Sequence, residues 1–166
     1  MMEIMAEQKH VTDADGHSSE PRRVIVISVD GSDHADHAVN WYLEHIRRPN
    51  DRLVLAHVPE LTNNSYDYTL SSTSVFEEMR AEIEKSAQLL EEKYTQKLLD
   101  NNVKDAEFRI ASGHVGEKLV EIALDENAAL VLTGCRGLGT FRRTLLGSVS
   151  DYILHHCHCP VIVCRH

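Results

Sequence analysis

Val24-Ile25-Val26-Ile27-Ser28-Val29, followed at once by Asp30-Gly31-Ser32-Asp33, is the stretch on which the fold turns. Its residues are mostly β-branched, the run has strand length, and apolar side chains occupy both odd and even positions. A strand with one wet face alternates. One that is apolar on both faces must be covered on both, as the strands of a parallel sheet are. Asp30, Gly31 and Ser32 then bring turn and helix-capping chemistry. Ala35, Ala38, Val39, Tyr42, Leu43 and Ile46 follow at helical spacing. The unit read here is a buried strand, a tight turn and an amphipathic helix.

The same unit recurs along the chain. Pro49-Asn50-Asp51 stops the first helix, and Leu53-Val54-Leu55-Ala56-His57-Val58 reads as a second buried strand. Residues 59–73 form a long polar loop, after which Ser74 and Glu77 stand at capping-box spacing. Phe76, Met79, Ile83, Ala87, Leu90, Tyr94 and Leu98 mark one face of a helix running to about Asn101. Residues 107–111 are a third strand, and Val115, Leu119, Ile122 and Ala123 line a helix behind Gly113. Residues 129–133 are a fourth strand. A last helix starts near Ser148 with Val149, Tyr152 and Ile153 inward, and residues 160–164 close the pattern as a fifth strand. Regular alternation of strand and helix predicts an α/β fold with a Rossmann-like open parallel sheet and helices on both faces.

The 166 residues suffice for one domain with a substantial core. Residues 1–21 lack periodicity and are expected to be a flexible arm, leaving 22–166 as a single domain. A formal charge of −9 argues against nucleic-acid binding through net field. No apolar run has the length to span a bilayer, and the polar, acidic N-terminus does not read as a signal peptide. The four cysteines (Cys135, Cys157, Cys159 and Cys164) crowd near the end instead of spreading as a disulfide framework. The expectation is a cytoplasmic protein with reduced thiols.

Two loops at strand ends carry ligand chemistry. Gly134-Cys135-Arg136-Gly137-Leu138-Gly139, with Gly147-Ser148 behind it, lies between a buried strand and a helix start. Glycines let amide N–H groups approach anionic oxygens, and a helix N-terminus favours negative charge. On chemistry alone the loop is either a turn or an anion cradle. Arg136 is the best placed of the cations, whereas Arg142-Arg143 are equally a solvated pair. On residues alone Asp30 reads as a turn or cap aspartate.

The chain resembles the universal stress proteins, whose ATP-binding branch carries Gly-x2-Gly-x9-Gly-(Ser/Thr) between the fourth strand and the last helix. Here the motif reads Gly134-x2-Gly137-x9-Gly147-Ser148. Val29-Asp30-Gly31-Ser32, Ala56-His57-Val58, Gly113 and Cys159-Pro160-Val161-Ile162-Val163 fit as well, so the resemblance covers about residues 22–166. It implies a five-stranded sheet in the order 3-2-1-4-5 and an adenine-nucleotide site for ATP, AMP or ADP, with Mg2+ carried on the phosphates. By the same match Ser28, Val29, Asp30 and Gly31 line the ribose or adenine side, and backbone near Val58 meets the adenine. Thr133, Gly134, Arg136, Gly137, Gly139, Gly147, Ser148, Val149 and Ser150 would surround the phosphates, Ser148 and Ser150 through their hydroxyls. A homodimer through Val161-Ile162-Val163 is implied too.

No Gly-x-Ser-x-Gly elbow or Gly-x4-Gly-Lys-(Ser/Thr) loop is present. The expected function is therefore nucleotide sensing or sequestration in a stress response with at most slow hydrolysis. The alternative is a dimeric interaction module in which nucleotide is absent or only structural. His155-His156-Cys157-His158-Cys159 offers zinc-ligand types. A Cys-x-Cys pair at a helix end is expected to send its side chains apart, however, so no native metal site is predicted. Cys164 reads as a small buried hydrophobe, and Tyr66 and Tyr68 sit in the long loop as candidate covers of the pocket.

Overall fold

The computed structural model of the chain describes residues 22–59, 73–135 and 146–165. The strands are β1 (Val24–Ser28), β2 (Arg52–His57), β3 (Ala106–Ile110), β4 (Leu130–Gly134) and β5 (Val161–Cys164). They alternate with α1 (Asp33–Trp41), α2 (Thr73–Asp100), α3 (Val115–Asp125) and α4 (Ser148–His156). All pairings are parallel and the order is β3-β2-β1-β4-β5, the arrangement the resemblance implied. The expected arm at 1–21, Tyr66, Tyr68 and residues 136–145 lie outside the described residues.

β1 sits at the centre of the sheet, which is why both of its faces are apolar. Ile25, Ile27 and Val29 point to one side, where Ala38, Val39 and Tyr42 from α1 and its extension and Tyr94 and Leu98 of α2 meet them. Val26 points to the other, toward Leu119, Ile122 and Ala123 of α3 and Ile153 of α4. Ile25, Ile27, Leu53 and Leu132 have no exposed surface, and burial of each such side chain stabilises the fold by about 1.5–3 kcal/mol.

Two polar clusters brace this core. Asp51, expected only to help stop a helix, is buried below the sheet. Its carboxylate accepts from Arg23 Nε and Nη2 at 2.8 Å each, from the Tyr42 hydroxyl at 3.1 Å and from the Arg48 amide at 2.9 Å. Burial, and then the Asp51 charge, push the Tyr42 phenol far above its usual range. Tyr42 begins a wider π-type turn, Tyr42–Ile46, that continues α1, with the Arg47 N–H reaching back to the Tyr42 carbonyl at 2.9 Å. On the other face of the sheet, Glu126 pairs with Arg52 and accepts from Arg109 at 2.5 Å, while Arg52 also reaches Glu107 at 2.5 Å. This ties the β3 edge to the end of α3.

Two local expectations are corrected. Helix α2 already includes Thr73, so Ser74 lies inside it instead of capping it. Cys157 and Cys159 do not diverge. Both pack against the cluster shared by α3 and α4. Cys157 has left the helix with φ −68° and ψ 142°. Burial, with the neighbouring thiol, pushes Cys157 up to about 11, and burial raises Cys159 as well. Cys164 is buried in the core as expected.

Candidate functional site

Chains leaving the carboxyl ends of β1 and β4 part company. β1 leads to α1 on one face and β4 leads to α4 on the other, as their separate core clusters show. The two strands are neighbours, with Ile27 level with Leu132. Between diverging connections a parallel sheet opens a crevice, the usual ligand position in such folds. Carrying the register past the paired residues sets Val58, Asp30 and Cys135 in one row along the rim.

The turn after β1 is held from several directions. Val29 is buried; its N–H donates to the Ala56 carbonyl at 2.9 Å and its carbonyl accepts from His57 Nδ1 at 2.8 Å. A carbonyl can only accept, so His57 carries its proton on Nδ1. Asp30 Oδ1 accepts the Ser32 N–H at 2.9 Å, and Ser32 Oγ accepts the Ala35 N–H at 3.2 Å to cap α1. Gly31 has φ +83°, a conformation side chains resist, and a Cβ there would stand 3.3 Å from Leu90 of α2. Asp30 is half-buried. With one oxygen engaged in the turn, its carboxylate keeps acceptor capacity toward the crevice.

The far wall is built from Gly134, Cys135, Gly147 and the start of α4. A Cβ on Gly134 would lie 2.8 Å from the His34 carbonyl carbon and oxygen. The Cys135 N–H donates to Cys164 O at 2.8 Å, extending the β4–β5 pairing. The Cys135 carbonyl accepts from the Gly147 N–H at 2.9 Å, which draws the two ends of the glycine loop together. In α4 the first intrahelical bond runs from Asp151 N–H to Gly147 O at 2.9 Å. Helix geometry therefore leaves the amides of Ser148, Val149 and Ser150 without intrahelical acceptors, with the positive end of the helix dipole behind them. Gly147 supplies no side-chain cap. Such an end suits an anion.

The structure thus brings together Ser28, Val29, Asp30, Gly31 and Val58 on one side and Thr133, Gly134, Gly147, Ser148, Val149 and Ser150 on the other. Arg136, Gly137, Gly139, Arg142 and Arg143 lie outside the described residues. Four of these residues also have partners within the fold. The Gly134 lack of a side chain makes room for α1, and the Gly147 N–H is committed to loop closure. Ser150 is buried, and its hydroxyl donates to Gly147 O at 2.9 Å and lies 3.3 Å from Cys135 O, so that hydroxyl serves the fold; its amide remains at the helix start. Thr133 is likewise buried, with Oγ1 3.2 Å from Gly134 O.

Sequence reasoning assigned no part to His57, His34 or the Cys135 carbonyl. A histidine ending a buried strand does need a hydrogen-bond partner, and that signal could have marked His57. Nothing in the sequence marks the other two. Among the described residues, no helix is long and apolar enough to cross a membrane, and no three His, Cys, Asp or Glu side chains gather as metal ligands.

A model of the universal stress protein family matches residues 21–165. The universal stress protein PHOS32 of Arabidopsis thaliana is 31% identical over 158 residues, covering 87% of this chain and 65% of the relative. The chain thus spans somewhat less than two thirds of that relative's length. Among solved structures, the universal stress protein UspA from Lactobacillus plantarum is similar with a TM-score of 0.71 and 20% identity, covering 86% of this chain and 97% of that one. A universal stress protein family protein from Arabidopsis thaliana with AMP bound has a TM-score of 0.63 and 22% identity, covering 87% of this chain and 92% of that one. At these identities the two structures speak to the fold.

Proposed function

Because the chain belongs to the universal stress protein family, we propose that it binds an adenine nucleotide, ATP or its relatives ADP and AMP, in the crevice between β1 and β4. The observation that carries this reading is the row of helix-start amides at Ser148, Val149 and Ser150, set across the crevice from Asp30. The amides suit phosphate oxygens. Asp30 suits the ribose hydroxyls, which are donors for its remaining acceptor capacity. Backbone at Val58 would meet the adenine edge. Gly137, Gly139 and Arg136 would complete the phosphate side, and Mg2+ would ride on the phosphates themselves. The AMP held by an Arabidopsis relative supports an adenine ligand.

The role is to sense or sequester nucleotide in a stress response, with at most slow hydrolysis. The four cysteines are free thiols, which favours a cytoplasmic, reducing setting. Isothermal titration of the folded chain with MgATP and with AMP tests the proposal. Saturable heat that disappears on replacing Ser148 by Glu, which sets a carboxylate at the phosphate position, is the expected result. No heat from either nucleotide with folded protein would overturn it.

A second reading, a dimeric interaction module, draws on β5. That strand ends the sheet, and Val161, Ile162 and Val163 are only partly buried. Such an edge invites pairing with a second copy. Sedimentation with and without ATP separates the two readings. A dimer indifferent to nucleotide, in a chain that gives no binding heat, favours the module.

A further inference from the structure

Among the described residues β3 ends the sheet, at the opposite margin from β5. Its backbone is half engaged. The Leu53 N–H donates to Asp105 O at 2.9 Å and the Ala111 N–H to His57 O at 3.0 Å. In a parallel ladder alternate residues turn to the same neighbour, so Asp105, Glu107, Arg109 and Ala111 bond to β2. The N–H and C=O groups of Ala106, Phe108 and Ile110 therefore point outward, and such an edge is a template for another strand.

The register sorts the side chains by face. Ala106, Phe108 and Ile110 stand level with Leu53, Leu55 and His57 on the α2 side. There Ile110 is 49% exposed, and Leu99 of α2, which shares a groove with Phe108, is 60% exposed. Glu107 and Arg109 stand on the α3 side and reach Arg52 and Glu126. Their side chains still keep 48% and 33% of their surface in solvent.

This strand is its own complement when a copy is turned end for end about Phe108. Antiparallel pairing then sets Phe108 opposite Phe108 of the second copy and Ala106 opposite Ile110. These are the residues whose backbone groups point outward, as hydrogen-bonded pairs require. Glu107 faces Arg109 of the second copy at the alternate positions, where side chains approach most closely. The adjacent registers that keep the hydrogen bonds set Glu107 against Glu107 or Arg109 against Arg109. Charge selects the register centred on Phe108.

We propose that β3 is a homodimerisation edge, pairing antiparallel with β3 of a second copy about Phe108. The contact is isologous and closes at two copies. It is distinct from the β5 edge, and it sends the carboxyl ends of the two sheets, where the crevices lie, to opposite ends of the joined one.

Hydrogen exchange of the full native chain across a dilution series tests the edge itself. The Phe108 and Ile110 amides should be protected in concentrated chain and exchange freely in dilute chain. Sedimentation tests the register, in chains whose β5 edge is charged by Val163→Lys. That chain should still dimerise. Adding Glu107→Lys or Arg109→Glu should weaken dimerisation about tenfold, because each sets like charges opposite one another twice. An equimolar mixture of the two folded variants should regain it, since lysine then meets glutamate and Arg109 meets Glu107. Amides protected at every dilution would give the edge to another segment of this chain. Amides that exchange freely up to about 1 mM would leave it to a different partner. Either result overturns the proposal, as would a mixture no tighter than its components or loss of association in folded Val163→Lys alone.

Discussion

Gly134 and His34 meet backbone to side-chain vacancy: a Cβ on Gly134 would fall 2.8 Å from both the carbonyl carbon and the carbonyl oxygen of His34. That contact seats the first turn of α1 against the end of β4 and so fixes one wall of the crevice relative to the other. Gly134→Ala would have to move backbone instead of a flexible side-chain tip. We expect a loss of about 1–3 kcal/mol in stability, read by urea unfolding. Weaker nucleotide binding should accompany it, because Asp30 and the start of α4 would no longer keep their spacing. A variant as stable and as tight as the native chain would show that α1 shifts freely.

Asp30 holds the turn after β1, the proposed site gives it a second task, and two substitutions divide them. Asn keeps an oxygen for the Ser32 N–H, whereas Ala removes it along with the charge. Asp30→Asn should retain native stability, and Asp30→Ala should lose about 1 kcal/mol, as for other local caps. If the carboxylate also receives ribose hydroxyls, calorimetry should find both variants weaker for nucleotide. Native affinity in Asp30→Ala would remove Asp30 from the site.

Ser150 offers the opposite case. Its hydroxyl is buried and held by the Gly147 and Cys135 carbonyls, so Ser150→Ala should cost about 1–2 kcal/mol of stability. The helix-start amide survives the change. Nucleotide affinity measured well below the melting range should therefore fall only slightly; a collapse in affinity at unchanged stability would restore the hydroxyl as a phosphate ligand.

Asp51 anchors the floor of the sheet. Asp51→Ala would strand Arg23 and the buried Tyr42 hydroxyl without their shared acceptor. Removing one member of such a pair costs about 3–5 kcal/mol, so the variant should unfold at markedly lower urea and chemical shifts should change around Tyr42. A loss below about 1 kcal/mol would mean that water replaces the carboxylate easily.

Glu126 links stability to acid. The Arg52 guanidinium, and after it Arg109, hold its carboxyl below the ordinary value of 4.5. The unfolded chain therefore takes up this proton first on acidification. The contribution is fully present above 4.5 and is lost as pH falls through the lower folded value. Glu126→Gln should be less stable than the native chain at neutral pH, and the gap should close in the acid range. Unfolding midpoints of both chains across that range provide the check; a gap independent of pH would assign the effect to packing.

Much of this molecule was legible in its sequence for a definite reason. Burial on both faces of β1, the helical stripe through Tyr94 and Leu98, and the start of α4 at Ser148 are all periodic or capping signals, and periodicity records which sides of an element are covered. The spacing from Gly134 to Gly147-Ser148 and the strand order came through resemblance, not from chemistry. Tertiary structure alone decided which element does the covering. Gly134 is small because His34 lies against it. Val29 is held by a histidine 28 residues away, and the Cys135 carbonyl closes a loop whose other end is at Gly147. Cys157 and Cys159 pack against one cluster after the helix has ended at backbone angles that the sequence does not mark. Each is a contact between segments distant in the chain or a matter of local dihedral angle, and neither leaves a repeat in the sequence from which it could be read.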